Sequence, residues 1–198
     1  MKKSIIITGI LLYAAVLLSF SQQSPNKGKF TNFTEGGVLI GNSQDEKKAP
    51  FIFHSSMNYE LFKNFSAGLG LGVEFLKETY LPVTANVMYQ FGKDKAIIPF
   101  VRLRTGYQVA LESTTVVQNY SYYPSFYYYP YYGGMEKLDA KGGWMFDPSA
   151  GITVYTRAGL GLRLAAGYRH HKLKYTGSDN YVFWTECNRL LLTLGITF

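Results

Sequence analysis

The sequence predicts an all-β fold, an eight-stranded antiparallel up-and-down transmembrane β-barrel. Three observations carry this prediction: an apolar leader at the N-terminus, eight later segments in which apolar and polar residues alternate, and short turns that alternate with long links. Alternation over several residues is the pattern of a strand with two different faces. Segments of about ten residues are long enough for a tilted strand to cross a bilayer.

The N-terminal leader has the three parts of a secretory signal peptide. Lys2 and Lys3 supply positive charge, an almost uncharged apolar run covers residues 4–20, and Ser19 and Ser21 supply the small residues of a cleavage site. The alternative is an uncleaved membrane anchor, which is disfavoured because the run is short and no charge cluster follows it closely. We therefore expect a signal peptide over residues 1–21 and one barrel domain over residues 22–198.

The eight alternating segments follow one another along the mature chain. The last is the clearest, because every even-numbered residue from Leu190 to Phe198 is apolar, whereas Arg189 begins the other face. The first is ambiguous in phase, and Glu35 favours even-numbered residues facing outward. In the sixth, Pro148 cannot donate a ladder hydrogen bond, so we expect regular pairing to start after it or a bulge to form there. The predicted strands cover residues 30–41, 51–61, 67–75, 81–90, 101–110, 146–156, 160–169 and 189–198.

The links between these strands differ in length. Those after the second, fourth and sixth strands are short, at about residues 63–65, 92–96 and 156–159. Those after the first, fifth and seventh are longer, at residues 41–50, 111–143 and 175–186, and the short link at 77–80 departs from this pattern. Short turns at one end and long loops at the other are typical of transmembrane barrels, and an even strand number places both termini at the end with the short turns.

The charged residues indicate which strand faces point inward. They gather on the less apolar faces, while the opposite faces carry no Asp, Glu, Lys or Arg through the middle of any predicted strand. A soluble barrel would bury the apolar faces and turn Phe91 and Tyr107 inward at its ends, whereas a membrane barrel places such residues in an interfacial aromatic girdle. We therefore predict that opposed Glu and Arg side chains fill and pair within a narrow lumen. The predicted lumen charge network consists of Glu35, Glu60, Glu74, Arg102, Arg104, Asp147, Arg163 and Arg169.

With these features the chain resembles a known family, the small porin-like outer-membrane β-barrels of Gram-negative bacteria, which includes the transmembrane domain of outer-membrane protein A. The similarity covers about residues 28–198, and its carriers are the leader, the Gly68-Leu69-Gly70-Leu71-Gly72-Val73 strand, the Gly106-Tyr107 and Gly167-Tyr168 pairs and the end Leu194-Gly195-Ile196-Thr197-Phe198. The resemblance implies an integral protein of the bacterial outer membrane with N- and C-termini in the periplasm. It also implies biogenesis through the barrel-insertion machinery, which reads a C-terminal aromatic residue such as Phe198. It implies no single activity, because members serve as anchors, adhesins, small channels and lipid enzymes.

The sequence leaves three functions open. The preferred hypothesis is a non-enzymatic outer-membrane barrel with a structural or surface-interaction role. One alternative is a small porin-like channel for ions or solutes, although eight strands leave a lumen that side chains fill. The other is a lipid-modifying enzyme using His54 and Ser56, but no enzyme motif surrounds these residues or Ser55, His170 and His171. We expect no catalytic residue and no cofactor. We also expect no metal site at His170 and His171, because adjacent residues on a strand point to opposite faces.

A tyrosine-rich segment stands out within the longest predicted link. Residues 120–132 read YSYYPSFYYYPYY and carry no charge. An exposed aromatic surface of this kind could contact an extracellular glycan or protein; alternatively, the rings could pack on one another or on the barrel mouth. The candidate contact residues are Tyr122, Tyr123, Phe126, Tyr127, Tyr128 and Tyr129.

The charge balance points to an anionic partner. The formal net charge is +7 and becomes 7 − 2 = +5 without the two leader lysines. For a secreted protein, outer-membrane lipid is a better candidate partner than nucleic acid, and we expect no nucleic-acid binding. Lys77, Lys172 and Lys174 lie just past the outer strand ends, where they could meet lipopolysaccharide phosphates or form a solubilising rim. The single cysteine, Cys187, cannot close an internal disulfide.

Overall fold

The computed structural model describes residues 30–41, 49–92, 96–112, 115–118, 135–156, 160–177 and 181–198. The predicted signal peptide and the tyrosine-rich segment, with Tyr122, Tyr123, Phe126, Tyr127, Tyr128 and Tyr129, lie outside these residues. Every regular element in the described part is a β-strand. No helix in that part is long and apolar enough to cross a membrane.

The strands form one closed antiparallel barrel. Strand β1 pairs with β2 and β9, and β5 pairs with β4 and β7, so that eight strands close into a ring. The short β6 pairs with an extension of β7 beyond the ring. The predicted eight-stranded antiparallel barrel is thus confirmed. The strands are β1 (Phe30–Ile40), β2 (Phe51–Phe62), β3 (Phe65–Phe75), β4 (Thr79–Gln90), β5 (Ile97–Ala110), β6 (Thr115–Gln118), β7 (Met135–Tyr155), β8 (Gly161–Thr176) and β9 (Val182–Thr197).

The barrel has two unlike ends. We call the end that carries the start of β1 and the finish of β9 the terminal end, and the opposite end the loop end. At the loop end β7, β8 and β9 extend well past their predicted bounds, and the β8–β9 ladder continues from Tyr168↔Leu190 to Thr176↔Val182. Residues 111–143, predicted as a link without strands, therefore contain β6 and the first part of β7. Alternation does not reveal this extension, because β7 shifts register between Ala140 and Gly142.

The β7 ladder runs through Pro148 without a bulge. Pro148 faces Leu103 of β5, and the β7–β8 register is the same on both sides of it, from Phe146↔His170 to Ser149↔Gly167. The expectation that pairing starts after the proline or bulges at it is therefore wrong. The missing N–H removes one possible ladder bond, but pairing on both sides of the strand keeps its register.

The side-chain faces are arranged as in a membrane barrel. Leu69 is 71% exposed on the outer wall, whereas Arg104 and Arg169 are 2% and 0% exposed in the lumen. In β1, Glu35 and Leu39 are buried and Ile40 is exposed, which confirms the predicted phase of this strand. A folded chain in water hides its apolar residues and exposes its charges, so this inverted distribution indicates an outer wall that contacts lipid.

Aromatic pairs lie on the outer wall near both ends. Tyr89 and Phe91 meet edge to face at the terminal end with ring centroids 5.1 Å apart, and Tyr107 and Trp144 do so toward the loop end at 5.6 Å. Such pairs correspond to the interfacial girdles of membrane barrels. The predicted outward orientation of Phe91 and Tyr107 is confirmed.

Candidate functional site

The middle of the lumen holds a network of buried ions centred on Arg104. Its Nη1 donates to Glu35 Oε1 at 2.7 Å, and its Nη2 and Nε donate to Asp147 Oδ2 at 2.7 and 2.9 Å. Arg102 donates to Glu35 Oε2 at 2.8 Å, so one carboxylate joins two arginines of the same strand. The predicted inward charges of β1, β5 and β7 therefore converge at one level of the barrel.

Arg169 extends the network to the opposite wall. Its Nη1 donates to Glu74 Oε1 at 2.7 Å and its Nη2 to Asp147 Oδ2 at 3.1 Å. The connected set, which we call the ionic layer, contains three carboxylates and three guanidinium groups, each no more than 5% exposed. A balanced, hydrogen-bonded set of this kind offsets the large desolvation cost of each charge. The ionic layer consists of Glu35, Glu74, Arg102, Arg104, Asp147 and Arg169.

Glycines on the inner faces leave room for these long side chains. A Cβ built on Gly72 would lie 2.8 Å from His54 Nδ1 and 2.5 Å from the Phe53 carbonyl oxygen. That is closer than real Cβ atoms approach other heavy atoms, so this position requires glycine. The alternating Gly68-Leu69-Gly70-Leu71-Gly72 run thus serves two purposes: leucines meet lipid outside, and the absent side chains admit polar groups from β2 inside.

His54 belongs to the same polar interior and is bound to a carboxylate. His54 Nε2 lies 3.0 Å from Glu74 Oε1, and the Gln108 amide donates to Glu74 Oε2. Ser55 faces the outer wall, where its hydroxyl lies 3.1 Å from that of Thr34. The histidine and the neighbouring serine are therefore on different faces, and each has its own partner.

The adjacent histidines of β8 separate as predicted. His171 is 1% exposed within the lumen, whereas His170 faces outward with Nδ1 2.7 Å from Asn188 Oδ1. Within the described ranges, no group of three His, Cys, Asp or Glu side chains is arranged to hold a metal ion.

An apolar cluster closes the lumen toward the loop end. Leu39, Ile52 and Leu191 are 0–1% exposed in it. The cluster was not predicted, although these three apolar residues interrupt otherwise polar inner faces in the sequence. Within it, Tyr80 and Tyr175 donate to Glu78 Oε2 at 3.1 and 3.0 Å, and their hydroxyls lie 3.1 Å apart. This loop-end cluster consists of Leu39, Ile52, Leu76, Tyr80, Leu138, Ala140, Leu173, Tyr175 and Leu191.

A second apolar layer fills the lumen toward the terminal end. It is formed by Phe33, Met88, Phe100 and Ala165. The Arg163 guanidinium lies between two of these rings, 4.0 Å from the Phe33 centroid and 4.1 Å from that of Phe100. We call this the terminal-end layer.

Two residues of the predicted charge network lie apart from the ionic layer. Arg163 faces the lumen but stacks on aromatic rings and forms no ion pair within the described residues. Glu60 is on the inward face of β2 opposite Ser66 and is only partly buried. It is six residues from His54, which is roughly 20 Å along an extended strand. A charged residue on the inward face of a strand is therefore not necessarily a member of the ionic layer.

The three predicted rim lysines lie near the loop end. Lys77 is exposed in the turn between β3 and β4. Lys172 Nζ is 2.7 Å from Glu186 Oε1, and the amino groups of Lys172 and Lys174 lie 5.5 and 5.8 Å from the Trp184 ring centroid. The hydrogen bond and charge of Lys172 lower the pKa of Glu186. Lys172 and Lys174 therefore form a mixed cationic and aromatic patch on the outer wall.

The arrangement is similar to that of known outer-membrane barrels. No protein-family model matches the chain, and no curated protein sequence matches it. Among solved structures, neisserial surface protein A aligns with a TM-score of 0.53 at 12% identity, over 86% of this chain and 96% of that one. OprG of Pseudomonas aeruginosa aligns with a TM-score of 0.54 at 10% identity, over 86% and 95%. The N-terminal barrel domain of OprF from the same organism gives 0.51 at 12% identity, over 86% and 97%.

These similarities and the apolar outer wall define the class of the protein. It is a small eight-stranded β-barrel with the fold of bacterial outer-membrane proteins. At 10–12% identity the likeness concerns the fold, so the function has to be argued from the lumen and the rim.

Proposed function

We propose that the protein is a non-enzymatic outer-membrane barrel with a structural or surface-interaction role. The observation that carries this proposal is the filled lumen. The loop-end cluster, the ionic layer and the terminal-end layer follow one another along the barrel axis, and nearly all their side chains are less than 10% exposed. A barrel interior filled in this way supports a rigid wall that displays its loops.

The same layering disfavours the small-channel alternative. A permeant ion or solute would have to separate Arg104 from two carboxylates, each within 2.9 Å, and then displace apolar side chains such as Leu39 and Leu191. Breaking buried pairs costs several kcal/mol. These contacts therefore favour a closed lumen over a small water-filled pore.

A planar-bilayer experiment tests the sealed lumen. We expect little or no steady conductance from the wild-type protein, and large stable channels would contradict the proposal. The double substitution Tyr80→Ala and Tyr175→Ala removes the two phenols at the loop end and should raise the frequency of brief openings. Tyr168→Ala, on the outer face of β8, is the matched control and should leave the recordings unchanged.

The enzyme alternative has a separate test. His54 is bound to Glu74, and no described contact joins it to Ser56, which supports a structural role for both. We expect lipid A and phospholipid profiles of cells that carry His54→Ala with Ser56→Ala to match wild type. A lipid species that disappears in the variant and returns on complementation would instead support the lipid-modifying function.

We further propose that the protein resides in the outer membrane with its termini in the periplasm and its loop end outside. The extended β7–β9 strands and the Lys172–Trp184 patch at the loop end support this orientation. In a Cys187→Ser background, Lys77→Cys should react with a membrane-impermeant maleimide on intact cells. Lys63→Cys, at an exposed position in the turn between β2 and β3 at the other end, should react only after permeabilisation, and the opposite result would invert the orientation.

The proposed partners follow from this placement. Outer-membrane lipid covers the apolar wall, lipopolysaccharide phosphates contact Lys77, Lys172 and Lys174, and the barrel-insertion machinery acts during biogenesis. The tyrosine-rich segment is the candidate contact for an extracellular glycan or protein. Deletion of residues 120–132 should abolish cell binding to such a ligand while the barrel still folds.

A further inference from the structure

Arg163 is a buried cation without a counterion in the part of the chain that the structure describes. It is 2% exposed, and its one hydrogen bond runs from Nη2 to the Met88 sulfur at 3.2 Å. Its Nε and Nη1 have no hydrogen-bond partner. An arginine stays protonated even when buried, so the charge cannot be relieved by loss of a proton.

The surroundings of Arg163 determine how a ligand could approach it. The Arg163 Cζ lies over the Phe33 and Phe100 rings, 4.0 and 4.1 Å from their centroids. The Nε and Nη1 hydrogens, which have no partner, lie in the plane of the group and point in different directions, so a partner in that plane meets one of the two nitrogens. An in-plane contact with an ionised N–H group is the charge-assisted hydrogen bond by which arginine binds anions.

Arg102 provides a second donor of the same kind. It is 4% exposed, its Nη2 has no hydrogen-bond partner, and its positive charge opposes that of Arg163. Glu35, the carboxylate that Arg102 binds at 2.8 Å, is also bound by Arg104 at 2.7 Å. The three carboxylates of the ionic layer are matched by its three arginines, so Arg163 adds a positive charge that the layer does not balance.

Two hydroxyl groups extend this set of donors toward the terminal end. Thr153 is the cross-strand neighbour of Arg163, and Thr197 is that of Gly161. Both side chains are 1% exposed, and neither hydroxyl has a partner. A hydroxyl can donate to an anion as readily as accept from a cation, so these groups are compatible with an anion that enters from the terminal end.

We propose that the lumen holds a small inorganic anion between Arg163 and Arg102. The anion would accept hydrogen bonds from one of the unpartnered nitrogens of Arg163 and from Arg102 Nη2, and it would reduce the repulsion between the two guanidinium groups. The tight packing of Phe33 and Phe100 favours a halide-sized ion over a bulky carboxylate. This inference goes beyond the proposed function, because binding inside the terminal-end half of the lumen does not require passage through the barrel.

Chloride itself is the probe. The folded full-length protein in detergent is exchanged into sodium gluconate, whose anion is too bulky for the packed lumen, and chloride is added while the ³⁵Cl NMR line width is recorded. We expect saturable excess broadening with wild type and its loss in Arg163→Met, whose side chain keeps contact with the rings. Lys174→Met, which removes an outward-facing cation, should retain the broadening.

Two results would overturn the proposal: no saturable broadening with wild type, or equal broadening with Arg163→Met. If Arg163→Met does not fold, wild-type crystals soaked in bromide decide the question. An anomalous peak in contact with Arg163 and Arg102 supports the site, and bromide found only elsewhere refutes it. Neither outcome bears on conductance, so failure of this inference is distinguishable from failure of the sealed-lumen proposal.

Discussion

The ionic layer and the loop-end cluster occupy the same lumen and are equally buried, yet different forces hold them. In the ionic layer, directional hydrogen bonds hold the charges together; the single oxygen Asp147 Oδ2, for example, accepts from both Arg104 and Arg169. In the loop-end cluster, Leu39, Ile52 and Leu191 are held by non-directional apolar contact. One barrel interior is thus closed by two kinds of packing: loss of one member leaves an unpaired charge in the ionic layer and a cavity in the loop-end cluster.

The largest effect is expected from breaking the ionic layer. Asp147→Asn leaves Arg104 and Arg169 with a neutral partner and should destabilise the barrel by about 3–5 kcal/mol, the usual loss when one member of a buried ion pair is removed. Equilibrium unfolding by urea in lipid vesicles measures this change. Ser149→Ala, two residues along the same inner face, removes one hydrogen bond to Arg102 and should lose only about 1 kcal/mol. Equal losses from the two substitutions would show that the charges are not coupled.

Truncation of the loop-end cluster should have the next largest effect. Leu191→Ala removes a fully buried side chain and should lose about 2–4 kcal/mol through lost contact and the cavity left behind. Leu190→Ala is a matched control, because the adjacent side chain is 49% exposed on the outer wall and lipid can fill the space. We expect the same unfolding assay to separate the two variants clearly. A larger loss from Leu190→Ala would mean that the faces of β9 are reversed.

A smaller effect is expected from the tyrosine pair at the loop end. Tyr80→Phe and Tyr175→Phe each remove a hydrogen bond to Glu78 and should lose about 1 kcal/mol. Because the two hydroxyls also lie 3.1 Å apart, the double variant should lose less or more than the sum of the single ones. Strict additivity in a double-mutant cycle would indicate that the two phenols act independently.

The smallest effect concerns the exposed pair of Lys172 and Glu186. Lys172 lowers the pKa of Glu186 through a hydrogen bond and its charge, so the pair stabilises the folded state above the unfolded-state pKa of the carboxyl. That contribution disappears as the pH falls through the lowered folded-state pKa. Lys172→Met should raise the pKa of Glu186 toward its ordinary value, as measured by NMR titration. Lys174→Met should change it little, because Lys174 contacts Trp184 instead.

Several features of the fold were predictable from local sequence. The alternation in β3, β5 and β9 fixed which residues face lipid, and the inward phases of Glu35, Arg104 and Arg169 were predicted correctly. The strand extensions were not predictable in the same way. In the extended part of β8, the outer wall carries Lys172 and Lys174, so the apolar signal that marks a crossing strand is lost.

The candidate sites were predictable only in part. Charge on inward faces identified all six members of the ionic layer, but it also included Glu60 and Arg163, which lie outside it. Neither the Phe33–Arg163–Phe100 stack nor the Tyr80–Tyr175 contact has a sequence signal, because the partners come from strands that are distant in the chain. An unusual apolar residue on a polar face, such as Leu191, was the one available sign of the loop-end cluster.

The sequence by itself determined the number of barrel strands and the direction in which their alternating side chains point, since a period of two is a local property of an extended chain. Tertiary structure decided which inward residues meet. Glu35 of β1 reaches Arg102 and Arg104 of β5 across the lumen. Arg163 contacts the Phe33 and Phe100 rings and pairs with no carboxylate of the described residues. These choices depend on how the sheet closes and how far its strands are staggered, and no single strand encodes that geometry.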